Sequence, residues 1–241
     1  SSGWVRRELA DDFDRAAGLL ADLGVEAGAG EQKVTTWQLA QAKPEHLAAL
    51  MDLGADPRAA RDIERLRREV REFRGLPQVE VPRTVIAELR PYQREGLDFL
   101  AYVLGLGMGA ILADDMGLGK TIQALAWLEH VRALDPAIGP ALVVCPASVV
   151  HNWMREAERF TPGMRVLTLT SGEERHVLRK EIPNHDLVIT NYALLRRDLE
   201  QWKAVPLAAA ILDEAQNIKN PDAAVSRAVL QLDVRHRLAL T

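Results

Sequence analysis

Residues 113–121, which read Ala-Asp-Asp-Met-Gly-Leu-Gly-Lys-Thr, are of the types and spacing that hold phosphate groups. Gly117 and Gly119 have no Cβ, so their backbone N–H groups can approach phosphate oxygens closely. Lys120 can reach the β- and γ-phosphates of a nucleoside triphosphate, and the hydroxyl of Thr121 can bind Mg²⁺. The spacing therefore predicts a phosphate-binding loop.

The loop departs from the usual pattern G-x-x-x-x-G-K-[ST], because Asp114 stands at the position of the first glycine. On the pattern alone, a Gly-rich turn formed by chance is the alternative. An apolar run at 110–113 precedes the loop and a helical pattern follows it, and the start of a helix carries partial positive charge. The loop residues predicted to contact the nucleotide are Asp114, Asp115, Met116, Gly117, Leu118, Gly119, Lys120 and Thr121.

A second candidate site is a pair of acids, Asp213 and Glu214, which follows the apolar run 209–212. In a P-loop enzyme the first carboxylate holds Mg²⁺, and the second positions and deprotonates the attacking water. We assign the metal to Thr121 and Asp213, and the role of general base to Glu214. Taken alone, the pair could be two exposed acids at the end of a strand. Its combination with Lys120, three predicted strands upstream, favours a nucleotide site.

A third candidate is Gln93, which lies in the segment 89–97 just upstream of the loop. Its amide offers both a donor and an acceptor, so it can recognise adenine. The alternative is a glutamine exposed on a helix surface.

Apolar runs and helical patterns alternate from residue 89 onward. The predicted strands are residues 110–113, 141–145, 165–170, 186–190, 208–212 and 237–241. This alternation predicts an α/β fold with a parallel sheet covered by helices on both faces. The uncharged stretch 99–113 is too short to span a bilayer, and we interpret it as a helix end followed by a buried strand.

The N-terminal part of the chain differs in character. Residues 1–75 predict a small helical region, and residues 76–88, with Pro77 and Pro82, predict an extended linker to residues 89–241. The helix that ends at Gly75 mixes arginines with acids on its polar face, which favours a solvated surface over a DNA-binding one.

Composition limits the classes of function. The chain has 241 residues, 48% of them hydrophobic, and a net charge of -4. Any contact with nucleic acid must therefore be local, because the overall charge does not attract polyanions. The single cysteine, Cys145, lies in an apolar run with no metal-ligand cluster around it and predicts a core residue in an intracellular protein. The N-terminus, which lacks a Met, does not resemble a signal peptide.

Five segments, in this order, resemble the motifs of the SWI/SNF-type ATPases, which belong to the superfamily-two helicase-like motors. They are residues 89–97, 112–121, 143–148 with Asn152-Trp153, 190–192 and 212–216. Asp-Asp-Met-Gly-Leu-Gly-Lys-Thr is a loop form typical of that family, which accounts for Asp114. The segment 218–221, Ile-Lys-Asn-Pro, resembles its bacterial members in particular. The resemblance covers about residues 88–241.

The resemblance implies a three-layer, RecA-like P-loop domain that binds ATP and Mg²⁺ and is part of a motor tracking along double-stranded DNA. Gln93 would contact adenine. Loops at the carboxyl ends of strands would place Pro146, Ser148, Thr190 and Asn191 near the DNA backbone. For Ser148 and Thr190 the alternative is capping of the next turn or helix. Such a motor would be cytoplasmic, associated with the nucleoid and not with membranes.

Two departures from the family pattern affect the expected activity. Gln216 replaces a histidine common in the family, so we expect the coupling of ATP to DNA to change more than the chemistry. The sequence stops at residues 237–241, where the family continues into a second RecA-like lobe that supplies an arginine and half of the DNA track. We therefore expect this chain to be a helical region plus the first lobe, with little ATP hydrolysis by itself.

Two other functions fit parts of the sequence. In one, the helices of residues 4–75 dock a partner protein, and the ATP-binding fold is a non-catalytic scaffold. In the other, the chain is an unrelated P-loop ATPase such as a ring-forming unfoldase. The segment Arg90-Pro91-Tyr92-Gln93 before the loop argues against the second.

Overall fold

The computed structural model describes residues 65, 68, 69, 71–172 and 175–241. The predictions made for residues 1–64, including most of the helical region, lie outside the described residues. The described backbone at residues 65, 68, 69 and 71 is helical. From Gly75 to Thr241 the chain forms one compact unit.

The centre of this unit is a six-stranded sheet in which all neighbouring strands are parallel, in the order β1-β6-β5-β2-β4-β3. The strands are β1 (Ala110–Leu112), β2 (Ala141–Cys145), β3 (Val166–Thr168), β4 (Leu187–Asn191), β5 (Leu207–Leu212) and β6 (Val234–Leu240). All six predicted strands are present. The largest difference between a predicted and an observed strand end is at the start of β6. This strand was expected from residue 237 and begins at Val234, which pairs with Leu207 of β5.

Helices cover both faces of the sheet, so the fold is the predicted three-layer α/β arrangement. One face carries α1 (Pro91–Gly105), α2 (Lys120–Leu134) and α3 (Val150–Phe160). The other carries α4 (Arg175–Leu178), α5 (Tyr192–Arg197), α6 (Leu199–Lys203) and α7 (Ala224–Leu230). As predicted, the uncharged stretch 99–113 divides between the end of α1 and strand β1. Within the described part of the chain, none of the helices is both long enough and apolar enough to cross a membrane.

Two hydrophobic cores lie on the two faces of the sheet. Every residue of β2 is buried, and alternate side chains point to opposite faces. Val143 and Cys145 contribute to the core beneath α1, α2 and α3, whereas Leu142 and Val144 contribute to the core beneath the other helices. Burial on both faces explains why the strands read as continuous apolar runs and not as alternating ones.

The segment 76–88, predicted as an extended linker, has no helix or strand and packs on the unit. Its backbone N–H groups donate to α1 and α3: Val79 N donates to the carboxylate of Asp98 at 2.8 Å, and Ile86 N donates to the carbonyl of Phe160 at 2.7 Å. Val85 is only 7% exposed. The segment is thus anchored across the helices of one face.

Candidate nucleotide and nucleic-acid site

The glycine-rich loop joins the end of β1 to the start of α2. Gly117 and Gly119 have φ values of +84° and +78°. Such left-handed backbone costs a residue with a Cβ about 1 kcal/mol or more, so glycine is the natural residue at both positions. A Cβ on Gly117 would meet nothing within 4 Å, whereas one on Gly119 would lie 2.6 Å from Gln93 Nε2. The loop is therefore open at Gly117 and closely packed at Gly119.

Asp114 is accommodated because its backbone is not left-handed. In the described residues, Glu214 is the only non-glycine residue with positive φ. The carboxylate of Asp114 accepts a hydrogen bond from Gln123 Nε2 at 2.9 Å. The absence of glycine at this position of the pattern thus costs the loop no strain, and the aspartate adds a contact to α2.

Lys120 begins α2, and its ammonium group lies on the loop itself. Lys120 Nζ donates to the carbonyl oxygen of Asp114 at 2.7 Å and contacts that of Asp115 at 3.4 Å. Thr121 follows in the first turn of α2 and is partly exposed, and Met116 at the loop tip is 88% exposed. These predicted nucleotide-binding residues are therefore gathered around one open loop.

Gln93 lies in the first turn of α1 and supports the loop from the side. Its Nε2 donates to the carbonyl of Leu118 at 3.0 Å, and its Oε1 accepts from Arg90 N at 3.0 Å. With 8% exposure it is buried, so the surface-residue alternative does not apply. One N–H and one lone pair of the amide remain for a further ligand.

Asp213 and Glu214 lie directly after β5. Glu214 N donates to one carboxylate oxygen of Asp213 at 2.9 Å, and Trp153 Nε1 donates to the other at 2.8 Å. Glu214 adopts a left-handed backbone with φ 51° and ψ 53°, a conformation that costs a side-chain-bearing residue about 1–2 kcal/mol. Strain of this kind is common at functional sites, where the surrounding contacts hold it.

Gln216 connects the acid pair to the end of β6. Its Nε2 donates to Glu214 Oε2, and its Oε1 accepts from Thr241 Oγ1 at 3.2 Å. Thr241 N in turn donates to the carbonyl of Leu112 at 3.1 Å. A chain of contacts thus runs from Glu214 to the last residue of β1.

The parallel sheet brings the loop and the acid pair to one edge. The loop follows β1 and the pair follows β5, and β6 lies between these two strands. Ligand crevices in open parallel sheets form at this carboxyl edge. The structure therefore unites residues that are about a hundred positions apart in sequence.

Four residues are predicted to lie near DNA at the same edge, but they are not equivalent. Pro146 and Ser148 follow β2, whereas Thr190 and Asn191 are the last two residues of β4. Ser148 is exposed, and Pro146 and Asn191 are partly exposed. Thr190 is 1% exposed, and its hydroxyl donates to the carbonyl of Leu169 at 3.0 Å. β4 continues through Asn191, so Thr190 lies inside the strand, in agreement with the predicted strand 186–190. The further expectation that a loop carries Thr190 toward DNA is wrong.

Capping is the alternative for Ser148 and Thr190, and neither residue acts as a cap. No side chain caps the start of α3, which follows Ser148, and the cap of α5 is Asn191, the neighbour of Thr190. Asn191 Oδ1 accepts a hydrogen bond from Leu194 N at 3.0 Å and caps the start of α5. The amide N–H groups of Asn191 are left for other partners.

Comparisons with known proteins decide the family. The family model of the SNF2-related domain matches residues 92–241. The chain belongs to the SNF2-related family.

Relatives agree with this assignment. The chain is 38% identical to the Bacillus subtilis protein YwqA over 76% of this chain and 20% of that protein. It is 39% identical to the chromatin-remodeling ATPase INO80 of Arabidopsis thaliana over 68% of this chain and 12% of that protein. The chain thus spans a fifth or less of the length of these relatives.

A solved structure resembles the same region. The Sulfolobus solfataricus SWI2/SNF2 ATPase core in complex with double-stranded DNA matches with a TM-score of 0.63 and 38% sequence identity. The match covers 68% of this chain and 34% of that one. The RecA-like fold predicted from the motifs is thereby confirmed, and the chain carries the ATP-binding lobe of a SWI/SNF-type ATPase.

Three residues important to the geometry of this SNF2-related lobe were not among the predicted site residues. Gln123 is fully buried on α2 and reaches the loop through Asp114, while Trp153 and Tyr192 both contact Asp213. A polar residue inside the apolar run that follows the loop was a usable signal for Gln123. Trp153 and Tyr192 stand in segments that resemble the family motifs, which was a signal for both residues. Their contact with Asp213 had no such signal, because Asp213 lies 60 and 21 residues away.

Electrostatics near the acid pair keep two neighbouring groups neutral. Burial, together with the charge of Asp213, raises the pKa of the Cys145 thiol to about 12. Burial also raises the pKa of the Tyr192 hydroxyl, and the charges of Asp213 and Glu214 add to that effect. Cys145 is thus the predicted core residue, and Tyr192 stays a protonated donor at neutral pH.

Proposed function

We propose that this chain binds Mg·ATP at the carboxyl edge of the sheet, as the first lobe of a DNA-dependent ATPase that moves along double-stranded DNA. The proposal rests mainly on the position of the loop after β1 and the acid pair after β5, which lie at the same edge of the sheet. Hydrogen bonds through Gln216 and Thr241 join them. Membership of the SNF2-related family supports the proposal.

The donor groups at this edge fit a triphosphate. The open backbone at Gly117, the N-terminus of the 15-residue α2 and the ammonium of Lys120 favour anionic oxygens. Lys120 donates to carbonyl oxygens of its own loop, which are neutral acceptors. An ammonium group that exchanges them for phosphate oxygens gains anionic acceptors and therefore stronger bonds. The spare N–H and lone pair of Gln93 fit the edge of adenine.

The residues also fit Mg²⁺. Protein Mg²⁺ sites commonly use one or two side chains plus water and substrate phosphates. Thr121 and Asp213 supply such ligands, and no cluster of three or more His, Cys, Asp or Glu side chains suited to a metal occurs among the described residues. Bound Mg²⁺ would neutralise charge on the phosphates. Glu214, held by Gln216, would accept a proton from the attacking water.

Double-stranded DNA is the partner proposed for the neighbouring loops. The solved Sulfolobus neighbour is a complex with double-stranded DNA. Ser148, Pro146 and Asn191 offer hydroxyl, amide and backbone groups at the same edge, and such groups bind phosphates without reading sequence. We propose no DNA contact for the buried hydroxyl of Thr190.

We further propose that residues 1–75 form an accessory region and that a second lobe supplies an arginine to the site. Such an arginine is worth about 10³- to 10⁵-fold in rate in other P-loop enzymes. The 241-residue chain would then bind Mg·ATP but hydrolyse it slowly.

The test compares binding with hydrolysis. Lys120→Ala should weaken Mg·ATP binding to this chain about tenfold or more, because the loop loses its ammonium group. In a chain extended to include the second lobe, Lys120→Ala and Glu214→Gln should both abolish DNA-stimulated hydrolysis. Binding is read from titration of a fluorescent ATP analogue, and hydrolysis from phosphate release with and without duplex DNA.

Lys203 and Glu200 provide matched controls, since they pair with each other on the exposed side of α6 at 2.8 Å. Lys203→Ala and Glu200→Gln make the same chemical changes away from the site and should leave binding and hydrolysis unchanged. Undiminished hydrolysis in Glu214→Gln would refute its role as general base, and undiminished binding in Lys120→Ala would refute the nucleotide site.

A further inference from the structure

The two segments proposed to face DNA each lead into a helix with one side chain that contacts Asp213. The turn that follows β2 leads into α3, which carries Trp153, and the end of β4 leads into α5, whose first residue is Tyr192. Both side chains donate hydrogen bonds to Asp213, at 2.8 and 2.7 Å.

Trp153 holds the carboxylate of Asp213. Trp153 is 1% exposed, so its only polar side-chain group, the indole N–H, needs a partner inside the protein. That partner is Asp213 Oδ2. The other carboxylate oxygen is held by Glu214 N. A hydrogen bond to an ionised acceptor is stronger than a neutral one, so the two bonds together set the orientation of the carboxylate.

Tyr192 holds the backbone of the same residue. Its hydroxyl donates to the carbonyl oxygen of Asp213, while Asp213 N donates to the carbonyl of Val144 in β2 at 2.9 Å. Tyr192 directly follows Asn191, which caps α5, so a shift of that cap moves the phenol.

The two contacts come from opposite layers of the fold. Trp153 belongs to the core beneath α1, α2 and α3, and Tyr192 packs against the core on the other face. The end of β5 is therefore clamped from both sides. A displacement of either loop changes a bond to Asp213, because packed cores transmit small shifts.

We infer that Trp153 and Tyr192 are positioning residues that transmit DNA contact, at the turn between β2 and α3 and at the junction of β4 with α5, to the Asp213 carboxylate. The inference rests on the proposed function, since it takes Asp213 as the ligand of the nucleotide-bound metal. It predicts that DNA and Mg·ATP change each other's affinity by the same factor, as linkage requires.

The first test measures that factor in the 241-residue chain. The Mg·ATP dissociation constant is determined with and without saturating duplex DNA. In the wild type, the dissociation constants with and without DNA should differ by about fivefold or more, since allosteric coupling between two sites usually changes affinity at least that much. Trp153→Phe and Tyr192→Phe should bring the ratio of the two constants to within about twofold of one, because each removes the donor that contacts Asp213. Tyr192→Phe removes only the hydroxyl, whereas Trp153→Phe replaces the indole with a smaller aromatic ring.

Trp127→Phe is the matched control. Trp127 is also buried, at 3% exposure, but its indole nitrogen has no hydrogen-bond partner in the described structure. This variant should keep the wild-type ratio. A purely structural loss would weaken nucleotide binding equally with and without DNA, so only the ratio reports on transmission.

The second test observes the indole group directly. The sequence contains five tryptophans, and each gives one ¹⁵N-labelled indole N–H signal. The signal that Trp153→Phe removes should shift when duplex DNA is added, whereas that removed by Trp127→Phe should stay. If Trp153→Phe does not fold, Asp213→Asn identifies the Trp153 signal and Tyr192→Phe decides the coupling.

The outcomes separate the two proposals. The inference would be overturned if Trp153→Phe and Tyr192→Phe both kept the affinity ratio of the wild type, or if the ratio in the wild type itself were one. Either result would leave the nucleotide site intact. Equal Mg·ATP binding by the wild type and Lys120→Ala would instead overturn the proposed function, and the inference with it.

Discussion

The loop after β1 and the acid pair after β5 face the same edge of the sheet, but they are held in different ways. Contacts of the loop come mainly from nearby residues: Lys120 and Gln123 reach back six and nine positions to Asp114. The acid pair also has local bonds from Glu214 N and Gln216, but the side chains that hold Asp213 are distant: Trp153 lies 60 positions away and Tyr192 21 positions away.

Because of this difference, substitutions in the loop and substitutions around the acid pair should have different effects. The loop depends on backbone shape and on side chains of two adjoining helices, so damage there should be confined to nucleotide binding. The acid pair depends on loops that also face the proposed DNA partner, so damage there should alter communication. Variants that change Mg·ATP affinity without changing its dependence on DNA, or the reverse, therefore test whether the loop and the acid pair differ in this way.

The largest effect within the loop is expected for Gly119→Ala. The new Cβ would be strained at φ +78° and would lie 2.6 Å from Gln93 Nε2, which supports the loop through Leu118. Mg·ATP affinity, measured by titration, should fall by about tenfold or more, since steric strain adds to the αL cost of about 1–2 kcal/mol.

Substitutions at two other glycines serve as comparisons for the loss of affinity in Gly119→Ala. Gly117→Ala carries similar strain at φ +84° without a close contact, so its loss should be smaller. Gly163→Ala has neither left-handed backbone nor a neighbour within 4 Å and should bind like the wild type. Equal losses in Gly119→Ala and Gly117→Ala would show that packing against Gln93 is unimportant.

A smaller effect is expected for Gln123→Met, which keeps the volume of the side chain and removes its amide. The bond to Asp114 is lost, and Mg·ATP affinity should fall by about three- to tenfold, equivalent to a net hydrogen bond of about 1 kcal/mol. Stability should change little, because Gln123 Oε1 is buried without a partner in the described structure and is removed as well.

A double-mutant cycle with Asp114→Ala identifies the mechanism. If Gln123 acts through Asp114, the second substitution adds almost nothing after the first, which gives a coupling energy of about 1 kcal/mol. Additive losses would mean that Gln123 supports the loop by packing alone. The ratio of affinities with and without DNA should stay at the wild-type value in both variants, unlike in Trp153→Phe.

The smallest effect on the site is expected for Asp186→Asn, at the opposite end of β4. Asp186 lies 2.8 Å from Arg165 Nη2 and 3.1 Å from Arg132 Nη2. Burial by itself raises the carboxyl pKa, but the bonds from Arg165 and the charge of Arg132 outweigh it and lower the pKa from 3.8 to about 2.

Because this pKa is lowered on folding, the carboxylate stabilises the fold above about pH 4, and the contribution is lost as pH falls toward 2. Asp186→Asn should remove about 1–2 kcal/mol of stability at neutral pH and flatten its acid dependence, measured by urea unfolding at several pH values. Mg·ATP affinity should not change. A change would show that the two ends of β4 are coupled.

Much of the fold follows from local sequence. Continuous apolar runs alternating with helical patterns predict parallel strands buried on both faces, and all six predicted strands are present in the structure. Errors occur at strand ends. The predicted strand 186–190 already includes Thr190, and the structure extends it by one residue, through Asn191. The expectation that Thr190 lies near DNA does not fit, because its hydroxyl is buried and donates to Leu169 O.

Contacts between segments were less predictable. The segment 76–88 reads as a connection because of its prolines, but its backbone donors find Asp98 and Phe160 only when the helices are assembled. Gln93 was predicted for its amide, and the structure shows that the amide also supports the loop at Leu118.

Turn geometry and strand burial depend on residues close in the chain, so the glycine loop, the acid pair and their order among the strands can be predicted from local sequence. The side chains that hold Asp213 become apparent only in the folded protein. The strand order β1-β6-β5-β2-β4 places the ends of β2 and β4 beside β5, and this brings Trp153 and Tyr192 to it from opposite faces. Such convergence arises from packing between segments, which spacing along the chain does not specify.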